Sequence, residues 1–176
     1  MHLTKTKKLT LSAVLCALGV VFMALGSVID VLDLSVCALA SLIVVFVYLE
    51  VGASYAFGVY LATSVLSLII VPSKLVFFEY FLVFGVYPLL KALIEKLPRW
   101  SWFPVKLVFV NAIIWVIAAF SSLLLSYDFI EGDTPVMKIA FYLLMNAAFV
   151  AYDYFITVMV RFYYDRLRHI FKRFLK

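Results

Sequence analysis

The sequence predicts an all-α integral membrane protein, a single domain over residues 1–176 built of six transmembrane helices with both termini cytoplasmic. Three observations carry this expectation. First, 67% of the 176 residues are hydrophobic and 14% are charged, whereas a soluble domain runs nearer roughly 45–50% apolar and about 25% charged. A soluble globule of this size could not cover such a composition with polar surface, and disorder would require low hydrophobicity and high charge. Second, the apolar residues form six continuous runs, without the period-two alternation of a β-barrel. Third, the basic residues are spread very unevenly over the connections. At about 20 apolar residues per span, six helices fill the chain and leave no length for a soluble catalytic or nucleotide-binding domain.

The runs follow in order. The first span, 9–29, comes after Lys5-Thr6-Lys7-Lys8 and ends at Asp30 and Asp33. Its start is like a secretory signal, but the run exceeds the ~7–15 residues of a signal core and lacks a small-residue cleavage site, so a retained helix is expected. The second span, 34–49, is short and closes at Glu50-Val51-Gly52. The third, 53–71, ends at Pro72-Ser73-Lys74, and the fourth, 75–97, at Pro98-Arg99. The fifth, 105–127, precedes Asp128 and the acidic turn Glu131-Gly132-Asp133-Thr134-Pro135. The sixth, 136–160, enters a basic tail, 161–176. That tail mixes aromatic and basic residues directly after a span, a composition that suits anionic lipid headgroups and not nucleic acid.

With the N-terminus inside, the inner segments hold Lys5, Lys7, Lys8, Lys91, Lys96, Arg99, Lys106, Arg161, Arg166, Arg168, Lys172, Arg173 and Lys176, thirteen basic residues. The outer segments hold two, Lys74 and Lys138. Asp30, Asp33, Asp128, Glu131 and Asp133 all fall outside. The positive-inside rule therefore places both termini in the cytoplasm of a multi-pass protein of the cell membrane.

Soluble-enzyme motifs are absent: there is no Walker-type phosphate loop, Gly-x-Ser-x-Gly or His-Glu-x-x-His. The two histidines, His2 and His169, lie in the tails, and Cys16 and Cys37 lack metal spacing, so no catalytic residue, cofactor or metal is assigned. Function must reside in polar groups within or beside the spans, which are costly there. Counting ~1.5 Å of rise per residue from the cytoplasmic side brings Lys91, Asn111 and Asp153 to comparable depth. Lys91 and Asp153 are expected to pair, with Asn111 or Tyr152 adding hydrogen bonds, either as a lock between helices or as a proton or ion relay. A second set lies toward the outside: Asp30, Asp33 and Ser35; Ser64, Ser67, Ser73 and Lys74; Phe78, Glu79 and Tyr80; Ser121, Ser122, Ser126, Tyr127 and Asp128; Lys138, Tyr142 and Asn146. From it, Asp30, Ser67, Lys74, Glu79, Tyr80, Ser122, Tyr127, Tyr142 and Asn146 are the candidate ligand-binding residues. Aromatic faces beside hydroxyls and a few charges supply contact area and orientation to a small molecule. Third, Ala13 and Ala17 are small residues four apart in the first helix, beside Ser12, Cys16 and Gly19, and small-xxx-small spacing lets another helix approach closely.

Taken together, these features resemble the S components of energy-coupling factor (ECF) transporters, small bacterial six-helix membrane proteins with cytoplasmic termini. The resemblance covers the whole chain in topology. It is specific at Ala13-Val14-Leu15-Cys16-Ala17, which matches the Ala-x-x-x-Ala of the family's first helix. Tyr60-Leu61-Ala62-Thr63-Ser64, Tyr87-Pro88-Leu89-Leu90-Lys91 and Tyr152-Asp153 are also similar to such sequences. The resemblance implies capture of a vitamin or other micronutrient near the outer surface. It also implies docking of Ala13 and Ala17 on the coupling transmembrane subunit, toppling in the membrane, and energy from partner ATPases. No motif specific for thiamine, riboflavin, biotin or folate stands out. Two other classes compete: a non-catalytic scaffold of the bacterial cell envelope, and a membrane-embedded lipid-modifying enzyme using Asp153, Lys91 or Glu79 as acid or base.

Overall fold

The structure is a computed structural model that describes residues 4–28, 32–124 and 135–168, without the side chains of residues 75, 120–124 and 167. All regular structure among them is helical: α1 (Lys5–Gly26), α2 (Asp33–Glu50), α3 (Ala53–Ile70), α4 (Lys74–Glu79), a π-helical segment (Tyr80–Phe84), α5 (Tyr87–Ile94), α6 (Arg99–Leu124), α7 (Pro135–Phe162) and a second π-helical segment (Tyr163–Leu167). Six helices are long and apolar enough to cross a membrane, with α4, the first π segment and α5 together forming the fourth. A helix satisfies its own backbone polar groups, the condition for crossing hydrocarbon.

Local chemistry sets several boundaries. Thr4 caps α1, its side chain accepting from the Lys7 amide at 3.4 Å. Between α2 and α3 the chain reverses over Val51 and Gly52, and the φ of +122° at Gly52 is open to glycine and strained for other residues. Pro88 falls at the second residue of α5 and Pro135 at the first of α7, where no intrahelical N–H is lost. Helix α6 begins at Arg99, six residues before the expected span, and Pro104 lies inside it.

The chain clusters into two compact units, residues 1–92 with 156–176, and residues 93–155. In the first, α1, α2 and α3 pack on one another, and α4 and the π segment pack against α2 and α3. Their core holds Met23, Cys37, Val44, Val47, Ala56 and Val76, all buried. Outward faces stay apolar, as at Leu9, Val14, Leu25, Phe57 and Ile69. In the second unit Val108, Trp115, Ile139, Leu143 and Leu144 are likewise exposed. A soluble monomer rarely carries apolar surface on that scale, whereas hydrocarbon accepts it.

Candidate functional site

In the first unit polar and small residues collect on the inward faces of four elements. On α1 these are Ser12, Cys16 and Gly19; on α2, Cys37 and Ser41; on α3, Tyr60, Thr63, Ser64 and Ser67; on the π segment, Tyr80. The spacing is helical, three or four residues apart, so each set forms one stripe. All are buried. The unit is thus polar inside and apolar outside.

Most of these groups are occupied. The Ser64 hydroxyl donates to the Tyr60 carbonyl at 2.8 Å, Ser67 to the Ser64 carbonyl at 2.9 Å, and Ser41 to the Ala38 carbonyl at 2.6 Å. Three further bonds tie helices together. Thr63 Oγ1 donates to Cys16 Sγ at 3.4 Å, Cys37 Sγ to the Val76 carbonyl at 3.7 Å, and Tyr60 OH to the Phe81 carbonyl at 2.9 Å.

The last of these belongs to the π-helical break. Single π turns often mark functional positions in helices. Here the Gly85 amide donates to the Tyr80 carbonyl at 2.7 Å, closing the wide turn. The Tyr60 ring packs into the space at Gly85: a Cβ added there would lie 2.6 Å from Tyr60 Cδ2 and 3.0 Å from Tyr80 Cε1. Glycine is therefore required by contact. Around the turn, Phe77 stacks on Phe81 and Phe81 on Tyr60, with centroids 5.6 and 5.9 Å apart.

Ser12 Oγ, Glu79 Oε2 and Tyr80 OH are buried in this unit without a hydrogen-bond partner. Tyr80 is fully buried, and its hydroxyl lies beside Thr63 without a well-formed bond to it. Leaving such a group unpaired costs about 1–3 kcal/mol. Glu79 closes α4 and Tyr80 opens the π segment, so the unmet groups sit at the break. Asp33 lies in the first turn of α2 and Glu79 closes α4, two helices that pack on each other.

The other expected ligand residues distribute differently. Lys74 is exposed, its ammonium donating to the Leu68 carbonyl at 2.8 Å. Asp30 and Tyr127 lie outside the described residues, as does the side chain of Ser122. Tyr142 and Asn146 belong to the second unit and converge on Asn111. Tyr142 OH and Asn146 Nδ2 both donate to Asn111 Oδ1, while Asn111 Nδ2 donates to the Leu107 carbonyl at 2.8 Å. Because α6 starts at Arg99, Asn111 lies more than three turns into its helix, deeper than a span beginning at residue 105 implies.

Lys91 belongs to the first unit and Asp153 to the second. Within its own unit, buried Lys91 donates to Thr157 Oγ1 at 2.6 Å. Asp153 accepts from Lys106, whose Nζ is 2.9 Å from each carboxylate oxygen and 3.9 Å from Glu95. Sequence reasoning counted Lys106 as a loop charge. The missed signal is its place two residues after Pro104, inside the helix. Glu50 was also missed as a site: Tyr163 OH donates to Glu50 Oε1 at 2.5 Å, and Arg168 Nε is 3.7 Å away. Ala13 and Ala17 are exposed on α1, whereas Ser12 and Cys16 face inward.

Among the described residues no cluster of three or more His, Cys, Asp or Glu side chains could hold a metal. Comparisons with known proteins return no match: no family model matches the chain, and neither curated proteins nor solved structures give a significant one.

Proposed function

We propose that this protein is a substrate-capturing membrane subunit of an ECF-type uptake transporter for a vitamin or other micronutrient. The six apolar helices insert in the bacterial cell membrane with both termini in the cytoplasm, the orientation that puts thirteen basic residues inside and two outside. In that orientation Asp33, Lys74 and Glu79 lie toward the extracellular side, where ligand arrives. The observation that carries the reading is the pair of unmet buried groups, Glu79 Oε2 and Tyr80 OH, at a π-helical break lined by aromatic rings. A ligand there would supply the missing partners, and polar groups within a span are functional by expectation. Ala13 and Ala17, exposed and small, form the docking stripe for the coupling transmembrane subunit, whose ATPases supply energy.

A thermal-shift screen of vitamins, nucleobases and amino acids on the purified protein tests this. A ligand-specific rise in Tm that follows mass action supports capture. A blank screen together with a tight envelope-protein complex supports a scaffold instead. That second reading has its own observation: the polar groups of the second unit, Lys106 with Asp153 and Asn111 with Tyr142 and Asn146, join α6 to α7 as a structural clasp.

A further inference from the structure

We propose that the π-helical break at Tyr80–Phe84 is a two-position hinge. Passing from the π to the α form, it shifts α4 by one residue and turns it by about 100° around its own axis. The register change belongs to the chain alone and does not depend on the ligand-capture reading.

The geometry of the break defines both positions. The Gly85 amide reaches back five residues to the Tyr80 carbonyl at 2.7 Å, so the turn holds one residue more than an α turn does. Returning that residue to the helix moves each residue of α4 out of its place and brings its successor in. Phe77 then stands where Val76 stands now, and Glu79 where Phe78 stands. Tyr80 takes the place of Glu79, and Phe81 that of Tyr80.

Unmet polar groups drive the shift. The present register buries Tyr80 completely, its hydroxyl without a hydrogen bond, and leaves Glu79 Oε2 buried without a partner. In the α register the fully buried place goes to Phe81, which has no polar side-chain atom to satisfy. Tyr80 and Glu79 move to places now held by half-buried residues, where the cost of an unmade bond falls.

Contacts between helices hold the present register against that drive. Tyr60 OH donates to the Phe81 carbonyl at 2.9 Å, the two rings stack at 5.9 Å, and Cys37 Sγ donates to the Val76 carbonyl at 3.7 Å. Val76 is fully buried in the core, so the larger Phe77 in its place is overpacked. An unpaired buried phenol and an overpacked core ring carry penalties of the same order, the condition for a bistable element. A ligand that met Glu79 and Tyr80 would hold the present register; only that coupling rests on the capture reading.

Disulfide formation with the native Cys37 reads the register, in the full chain in detergent without added ligand. On oxidation with copper phenanthroline, Val76→Cys should crosslink to Cys37, as mapped by mass spectrometry. Phe77→Cys should crosslink as well, in a smaller fraction. That fraction should rise several-fold with Tyr60→Phe, which releases the Phe81 carbonyl, and fall several-fold with Tyr80→Phe, which removes the unmet hydroxyl. Phe78→Cys, which neither register brings to Cys37, is the reference and should not crosslink. A second readout needs no variant. Labelling phenylalanine carbonyls and glycine nitrogens lets NMR select glycines that follow phenylalanine, and these are Gly58 and Gly85 alone. The Gly85 amide should show a second resonance or exchange broadening, and Gly58, within α3, neither. Crosslinking of Phe77→Cys no better than Phe78→Cys, fractions indifferent to Tyr60→Phe and Tyr80→Phe, or a single Gly85 resonance free of exchange would overturn the proposal. Each of these outcomes leaves ligand capture to the thermal-shift screen, so the two readings fail separately.

Discussion

The ammonium of Lys106 lies 2.9 Å from both carboxylate oxygens of Asp153, so a bidentate ion pair joins α6 to α7 inside the second unit. Both side chains are largely buried. Removing one partner strands the other charge in a medium that cannot solvate it. Lys106→Met and Asp153→Asn should therefore each lower unfolding stability by about 3 kcal/mol. The double variant Lys106→Met/Asp153→Asn should lose clearly less than the sum, since it removes both charges. Denaturant titration in mixed micelles measures the cycle; additive losses would show that the pair is not coupled.

Asn111 Oδ1 accepts from both Tyr142 and Asn146. Tyr142→Phe removes one donor and leaves the acceptor served by the other. Interhelical hydrogen bonds in membranes average roughly 0.6 kcal/mol, and that is the loss expected. Asn111→Ala removes both interhelical bonds, while Asn146 Nδ2 keeps its bond to the Tyr142 carbonyl at 3.0 Å, and should cost about twice as much. The same unfolding assay distinguishes them, and equal losses would contradict the shared acceptor.

At Gly85, an added methyl would meet the Tyr60 ring at 2.6 Å. Gly85→Ala should destabilise the protein by roughly 1–3 kcal/mol through overpacking. Tyr60→Ala in the same chain removes the ring, so the added cost of Gly85→Ala should then largely disappear. A full penalty in the Tyr60→Ala background would place the strain elsewhere.

Orientation is open to direct chemistry. Single cysteines at Lys5 and Arg161 should react with a membrane-impermeant maleimide only after permeabilisation of cells. Cysteines at Lys74 and Lys138 should react in intact cells. Cys16 and Cys37 are buried and should contribute no background. The reverse pattern would invert the assigned topology.

Ala13 and Ala17 are exposed on α1. Replacing both by Trp should abolish co-purification with a coupling transmembrane subunit without changing thermal stability or ligand response. Co-purification that survives both changes would dissociate the stripe from docking.

The helices are the part of this protein most directly legible in its sequence. Continuous apolar runs such as 53–71 need no long-range information: hydrophobicity and backbone satisfaction suffice. Punctuation was also readable where it is local, as at Gly52 or Pro135. The start of the fifth helix was less readable: a span from residue 105 was expected, with Lys106 counted among the inner basic residues, whereas α6 begins at Arg99 and carries Pro104 and Lys106 within it. The π-helical break at Tyr80–Phe84 left no local mark. It depends on the Tyr60 hydroxyl reaching the Phe81 carbonyl and on the room at Gly85, both contacts between distant segments.

Glu79 and Tyr80 stand out in sequence as polar groups at the mouth of an apolar run. Nothing in sequence says that Cys37 faces Val76, that Thr63 meets Cys16, or that Tyr142 and Asn146 share Asn111. Sequence by itself determined the six helices among the described residues that are long and apolar enough to cross a membrane, because that property belongs to each segment alone. Which polar groups meet was decided only by tertiary structure. A shift of one residue turns a helical side chain by about 100°, so partners depend on the register and rotation at which helices pack.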